Sequence, residues 1–224
     1  MECLLCGTII NWQPTLWNLL CFKKLTPPRV CARCSQSFTK IGNADRCRGC
    51  VRQRGNLCED CQRWQQKLGW IIHNQSLFEY NDAMKDYMQR YKFMGDYRLR
   101  QVFSHELTTL VCQQNADLII PIPINQHTWQ TRGFNQVTAM LDCRYSVDII
   151  GTKAGNKEVF QSQKGRQQRL RTSQPFVLLN KDEICQKSIL LVDDVYTTGR
   201  TIYHAATLCY QAGCRSIKSI TLAS

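Results

Sequence analysis

Hydrophobic and polar positions divide the 224-residue chain into two unlike parts. Residues 1–64 show little apolar periodicity. From Leu77 onward, short apolar runs alternate with amphipathic stretches. Phe78-Glu79-Tyr80 predicts a short strand. Asn81 or Asp82 then supplies the N-cap of a helix in which Ala83, Met84, Tyr87, Met88 and Tyr91 share one face, with Gly95 placed to end it. A second helix is predicted from about Arg98 to Gln113 on the stripe Leu99, Val102, Phe103, Leu107, Leu110 and Val111. Asp117-Leu118-Ile119-Ile120 reads as a buried strand stopped by Pro121 and Pro123, with a helix following through Val137 and Leu141. Ile189 to Val192 is a second buried strand, Thr201 to Gln211 a helix stopped at Gly213, and Ile217 to Leu222 a closing strand. Strands alternating with helices predict an α/β fold with a mostly parallel sheet and right-handed crossovers. The expected division is a Cys-rich module over 1–64 and an α/β domain over 65–224. Residues 152–175 are polar and basic and read as a flexible loop or hood.

The strand at Ile189 to Val192 ends in two carboxylates, Asp193 and Asp194, and the next residues, Val195, Tyr196, Thr197, Thr198, Gly199, Arg200 and Thr201, open a helix. Open α/β sheets place ligands at this strand end. The hydroxyls of Thr197, Thr198 and Thr201, the Gly199 backbone and the helix N-terminus make a phosphate cradle. Two carboxylates repel phosphate. They suit sugar hydroxyls, or a Mg²⁺ ion that bridges to the sugar phosphate. A Walker B strand also ends in acids, but it requires a G-x-x-x-x-G-K-[ST] loop, which the chain does not contain. A second segment, Arg132-Gly133-Phe134-Asn135-Gln136, follows Pro121-Ile122-Pro123. Arg132 can grip a pyrophosphate with both arms of its guanidinium, Gly133 permits close backbone approach, and Asn135 and Gln136 offer neutral donors. Taken alone, Asn135 could equally be a helix N-cap, and Lys92-Phe93-Met94-Gly95-Asp96 a helix end with its glycine stop.

Cysteine spacing adds a second chemistry. Of 14 cysteines, nine lie at or before Cys61, and eight of those form Cys-x-x-Cys pairs: Cys3/Cys6, Cys31/Cys34, Cys47/Cys50 and Cys58/Cys61. Two such pairs complete a tetrahedral Cys₄ zinc site, so two Zn²⁺ ions fit the count. Sequential pairing, with Cys3, Cys6, Cys31 and Cys34 in one site and Cys47, Cys50, Cys58 and Cys61 in the other, is preferred for the short loop between Cys50 and Cys58. Cross-bracing of alternate knuckles, an iron–sulfur cluster and a thiol redox role are the alternatives. Such a module is too small to fold well without its metal.

Charge widens the range of partners. The formal net charge is +12. Residues 1–64 carry 10 Lys and Arg against 4 Asp and Glu, and residues 65–224 carry 19 against 13. A basic surface attracts polyanions, single-stranded DNA and phosphorylated small molecules among them. Arg46, Arg48, Arg52, Arg54 and Arg63, with Trp64, suit backbone contact and base stacking on a single strand, or simply a solvated face. Arg166, Arg169 and Arg171 in the 152–175 segment serve either DNA contact or a hood over a phosphate ligand. No stretch approaches the roughly 20 apolar residues of a membrane span. The start lacks a basic region followed by an apolar run, so a cytoplasmic protein is expected.

Two resemblances sharpen these readings. The apolar run, Asp193-Asp194, Thr197-Thr198-Gly199 and Thr201 together resemble the phosphoribosyl pyrophosphate (PRPP) motif of type I phosphoribosyltransferases. Arg200 stands where that motif more often has a small residue. The resemblance implies that Asp193 and Asp194 bind ribose hydroxyls and that Thr197 to Thr201 bind the 5′-phosphate. Over the whole chain, the order of a Cys-x-x-Cys N-terminus, Tyr91-Lys92-Phe93-x-Gly95-Asp96, Pro121-x-Pro123, Arg132-Gly133-Phe134-Asn135-Gln136 and the Asp-Asp motif resembles the ComF family of competence proteins. That resemblance implies a zinc module joined to a phosphoribosyltransferase-like domain. It further implies a cytoplasmic role in uptake of single-stranded DNA during natural transformation, alongside DNA-processing proteins. An active phosphoribosyltransferase with an unknown acceptor is the alternative. Gln163 and Arg169 match the family's pattern, and Thr172 departs from it near an expected Asn.

Overall fold

The computed structural model describes residues 1–13, 27–42, 46–52, 55–153 and 174–224. The expectations for Arg54, for Gln163, Arg166, Arg169, Arg171 and Thr172, and for most of the 152–175 loop therefore lie outside the described residues.

Short helix α1 (Ala32–Gln36) and α2 (Glu59–Leu68) belong to the cysteine-rich part. Then follow β1 (His73–Phe78), α3 (Asp82–Lys92), a 3₁₀ turn (Tyr97–Val102), α4 (Ser104–Cys112), β2 (Leu118–Pro121) and α5 (Gln126–Arg132). The chain closes with β3 (Ile150–Thr152), β4 (Phe176–Leu178), β5 (Ser188–Val195), α6 (Arg200–Gln211) and β6 (Ser216–Ala223). Four strands form one sheet in the order β1-β6-β5-β2, and every pairing in it is parallel. Strands β3 and β4 form a separate antiparallel pair that flanks the 154–173 segment.

Strand β5 is central because both of its faces are apolar. Ile189 to Val192 are all buried, as expected of a parallel strand covered on both sides. Leu190 and Val192 pack with Met84, Tyr87 and Tyr91 of α3 and Leu107 of α4. Ile189 and Leu191 pack with Ile202, Tyr203 and Ala206 of α6. The cysteine-rich part splits across these two faces. Leu4, Leu5 and Val30 of its first lobe rest on the α3 side. Cys47, Cys50, Cys58 and Cys61 of its second lobe belong to the α6 core.

Three predicted elements differ from the structure. The first strand ends at Phe78 instead of starting there, since the polar run His73–Ser76 pairs with β6. Its buried Asn74 and Ser76 bond to each other and to Thr221, at 2.7–3.2 Å. The stretch from 98 to 113 is not one helix. Tyr87 Oη donates to the Leu99 carbonyl at 3.2 Å, and Phe103 (φ −122°, ψ 4°) breaks the ladder between the 3₁₀ turn and α4. The helix expected through Val137 and Leu141 lies earlier, at 126–132, and residues 136–140 form only turns. Asn125 caps α5, its side chain accepting from the Thr128 N–H at 2.7 Å.

Candidate functional site

At the C-terminal end of β5 the apolar run gives way to Asp193 and Asp194, which are only 6% and 5% exposed. Buried carboxylates require compensation. The Lys92 ammonium, from the last turn of α3, sits 2.6 Å from Asp194 Oδ2. Asp193 Oδ1 accepts the Asp194 N–H at 2.9 Å. Burial, then the neighbouring Asp194 charge, pushes the Asp193 carboxyl up to about 8, with Lys92 acting in the opposite direction. Asp193 is therefore the carboxyl that favours its protonated form near neutral pH.

A cavity of about 720 Å³ opens in front of this pair. Of the residues singled out from sequence, Lys92, Gln136, Asp193, Asp194, Val195, Thr197 and Thr201 line it. Lys85, Gln89 and Lys92 face it at i, i+4, i+7 spacing along α3, and Phe93, Phe176 and Tyr80 complete its apolar wall. Lys85 and Gln89 escaped the sequence reading. Their shared helix face was the available signal.

The remaining motif residues shape the loop. Tyr196 is buried, and its backbone N–H bonds to the Ala223 carbonyl at 2.9 Å. Gly199 turns the chain into α6 at φ +76°, and a Cβ there would lie 2.2 Å from Tyr196 Oη, so any other residue is excluded twice over. The amides of Thr197, Thr198 and Gly199 donate to no backbone carbonyl among the described residues. With the first turn of α6 they form a set of N–H donors suited to an anion. Thr197, Thr198 and Thr201 are exposed, and Arg200 is half-buried beside them.

Arg132, Gly133 and Asn135 line a neighbouring cavity of about 550 Å³ with Trp129 and Tyr97. Arg132 joins the two cavities: its Nε–H donates to the Lys92 carbonyl at 3.0 Å and its Nη1 bonds to Gln136 Oε1. Asn135 pins the turns that follow it, with no helix there to cap. Its Oδ1 accepts from Val137 N–H at 2.8 Å, and its amide donates to the Ile122 carbonyl at 2.9 Å. Gly133 ends α5 at φ +80°.

The eight paired cysteines form two groups, Cys3, Cys6, Cys31 and Cys34, and Cys47, Cys50, Cys58 and Cys61. The pairing is sequential. Within each group all four sulfurs lie within 4.8 Å of one another. The Sγ–Sγ distances Cys6–Cys31 (3.7 Å) and Cys50–Cys58 (3.5 Å) approach the ~3.8 Å edge of a tetrahedron with Zn–S bonds of about 2.3 Å. Backbone N–H groups of Cys31 and Cys58 donate to the sulfurs of Cys3 and Cys47, each at 3.3 Å, which favours thiolates. The Tyr196 hydroxyl is buried beside Cys61 without a hydrogen-bond partner among the described residues, and a thiolate there would accept from it. Both groups thus could hold one tetrahedral ion, consistent with zinc. An iron–sulfur cluster spreads its thiolates more widely.

Three of the residues considered for DNA contact, Arg46, Arg52 and Trp64, have close partners within the chain. Arg46 pairs with Glu79 at 2.6 Å and Arg52 with Asp60 at 3.1 Å. Trp64 stacks on Tyr203 with ring centroids 4.3 Å apart. Arg63 lies 3.6 Å from Glu59 and 3.4 Å from Asp60 on α2 yet stays exposed, as does Arg48. No described helix is long and apolar enough to cross a membrane.

Fold and site together define an α/β protein with a cavity at the C-terminal edge of a parallel sheet and two Cys₄ groups that could each hold a metal ion. The chain belongs to the ComFC family of competence proteins, as its sequence motifs implied. It is 34% identical over 223 residues to Competence protein ComFC of Streptococcus pneumoniae, covering 99% of both chains. Identity to Competence protein ComFC of Bacillus subtilis is 30% over 229 residues, covering 98% of this chain and 93% of that one. Competence protein F of Haemophilus influenzae is 22% identical over 204 residues, covering 84% of this chain and 87% of that one. Among solved structures, a hypoxanthine phosphoribosyltransferase from Staphylococcus aureus overlaps 56% of this chain and 63% of its own, at 16% identity and TM-score 0.32. No protein-family model matches the sequence.

Proposed function

We propose that the cavity binds PRPP or a closely related sugar phosphate together with Mg²⁺, and that the protein acts in competence by coupling this ligand to uptake of single-stranded DNA. One observation carries the ligand reading: the buried Asp193–Asp194 pair ends β5 and leads directly into a loop of free amides and threonine hydroxyls at the start of α6. Ribose hydroxyls bind to the carboxylates, once Asp193 has lost its proton. The 5′-phosphate accepts from the amides and hydroxyls of residues 197–201. Lys92 meets the negative charge of the pyrophosphate, and Arg132 fixes Lys92 through its backbone. Mg²⁺ supplies charge neutralisation between the carboxylates and the ligand's phosphates.

Zn²⁺ fills both Cys₄ groups in this reading and has a folding role. The competence role rests on family membership, and DNA binding on the +12 charge together with the exposed Arg48 and Arg63. Calorimetric titration with PRPP and Mg²⁺ tests the ligand. Salt-dependent retention of a labelled oligonucleotide tests the DNA contact, since phosphate contacts give a negative slope of log affinity against log salt.

A further inference from the structure

The loop over Thr197 to Thr201 is held from outside the sheet. Trp64 lies on α2, one helical turn beyond Cys61. Its indole N–H donates to the Thr198 carbonyl at 2.8 Å. Its ring stacks on Tyr203, the two planes 14° apart. The Tyr203 hydroxyl in turn accepts the Ile72 N–H at 3.2 Å, where the chain leaves the second cysteine lobe for β1. At the other end of the loop, Tyr196 is packed between Cys61 and Gly199. Both ends of the loop therefore rest on the second lobe.

The first lobe makes a different connection. Its Leu4 and Leu5 carbonyls accept from the Arg90 guanidinium at 3.1 and 2.8 Å, on the α3 face. No hydrogen bond joins it to residues 196–203 among the described residues.

The Trp64 bond has a geometric consequence. The Thr198 C=O and the Gly199 N–H are the two ends of one planar trans peptide and point in opposite directions. Anchoring the oxygen on α2 fixes the Gly199 N–H so that it points away from α2. Glycine at 199 makes that peptide easy to flip, because its backbone tolerates both hands of φ. A fixed donor binds an anion more tightly than one that must be reoriented.

We propose that Trp64 is a positioning residue for the 197–201 loop, and that the second cysteine lobe, not the first, sets the loop's shape and through it the affinity for an anionic ligand. The affinity part rests on the sugar-phosphate reading, whereas the positioning part is measurable without any ligand. Trp64→Phe keeps the aromatic stack and removes the donor. Trp64→Ala removes both. Full-length, metal-loaded protein is compared by hydrogen–deuterium exchange, metal content and titration with Mg²⁺–PRPP. In Trp64→Phe the metal content stays at the wild-type level, exchange in peptides covering 196–203 rises about fivefold, and affinity falls by a similar factor. Peptides of α3 and β2 keep their wild-type exchange, which separates positioning from general loosening. Arg90→Ala, which removes the α3 contact with the first lobe, changes neither the loop exchange nor the affinity. Unchanged loop exchange in Trp64→Phe and Trp64→Ala overturns the proposal. Raised loop exchange in a protein that binds no Mg²⁺–PRPP even as wild type keeps the positioning role and removes the sugar-phosphate reading.

Discussion

Lys92 Nζ lies 2.6 Å from Asp194 Oδ2, joining the last turn of α3 to the end of β5 across the mouth of the cavity. The ammonium neutralises one of two adjacent buried carboxylates. Asp193 makes no ion pair among the described residues, and its carboxyl is the one held protonated.

That proton gives a pH signature. Asp193 moves from an ordinary value of 3.8 to about 8 on folding. Between those values the folded chain holds the proton more strongly than the unfolded chain, so this group's contribution to stability is lost as pH rises through the window. Asp193→Asn removes the charge that burial disfavours. Its melting temperature is expected to exceed that of the wild type above pH 8, by on the order of 2–4 °C, with the gain fading toward pH 4. Thermal melts across this range check the sign.

Removing Lys92 leaves Asp194 without its counter-charge. Lys92→Met is expected to cost about 3 kcal/mol at neutral pH, because a buried charge loses its partner. Adding Asp194→Asn should restore most of the loss. Denaturant unfolding of the two single variants and the double variant measures the coupling; additive losses would show that the pair is not an energetic unit.

Metal analysis of the purified chain should give two zinc ions, one for each Cys₄ group. Chelation should lower stability, as the small lobes depend on metal to fold. A single ion, or iron in place of zinc, contradicts the assignment.

Charge reversal at Arg166, Arg169 and Arg171 should weaken binding of single-stranded DNA and flatten its salt slope by up to about 2, the sum of roughly 0.7 per lost phosphate contact. Unchanged affinity and slope would place the DNA contact elsewhere.

Much of this architecture is legible along the chain. Ile189 to Val192 reads as a buried strand, and of the two cap candidates, Asn81 and Asp82, Asn81 fills the role, its side chain accepting the Met84 N–H at 3.0 Å. The Cys-x-x-Cys spacings point to metal ligands, and the short gap from Cys50 to Cys58 favours the sequential grouping that the sulfur distances give. Other features depend on tertiary partners. Strand β1 is hidden because Asn74 and Ser76 satisfy each other and β6 inside the sheet, which no apolar alternation reveals. The break before α4 arises where Tyr87 takes the Leu99 carbonyl, a contact between two helical segments. Trp64 reads as an exposed aromatic amid arginines, yet its partners, Thr198 and Tyr203, lie more than 130 residues away. The placement of the two cysteine lobes on opposite faces of the sheet follows from which apolar residues flank them, Leu4 and Leu5 in one and Leu57 and Trp64 in the other.

The central claim is that the Asp193–Asp194 strand end is a sugar-phosphate site. Calorimetric titration with PRPP in Mg²⁺ of the zinc-loaded wild type, beside the double variant Asp193→Asn with Asp194→Asn, tests it most directly. The expected result is saturable binding by the wild type and none by the double variant, with both proteins folded by circular dichroism. Equal affinity in the two proteins, or no binding by either, would contradict the site.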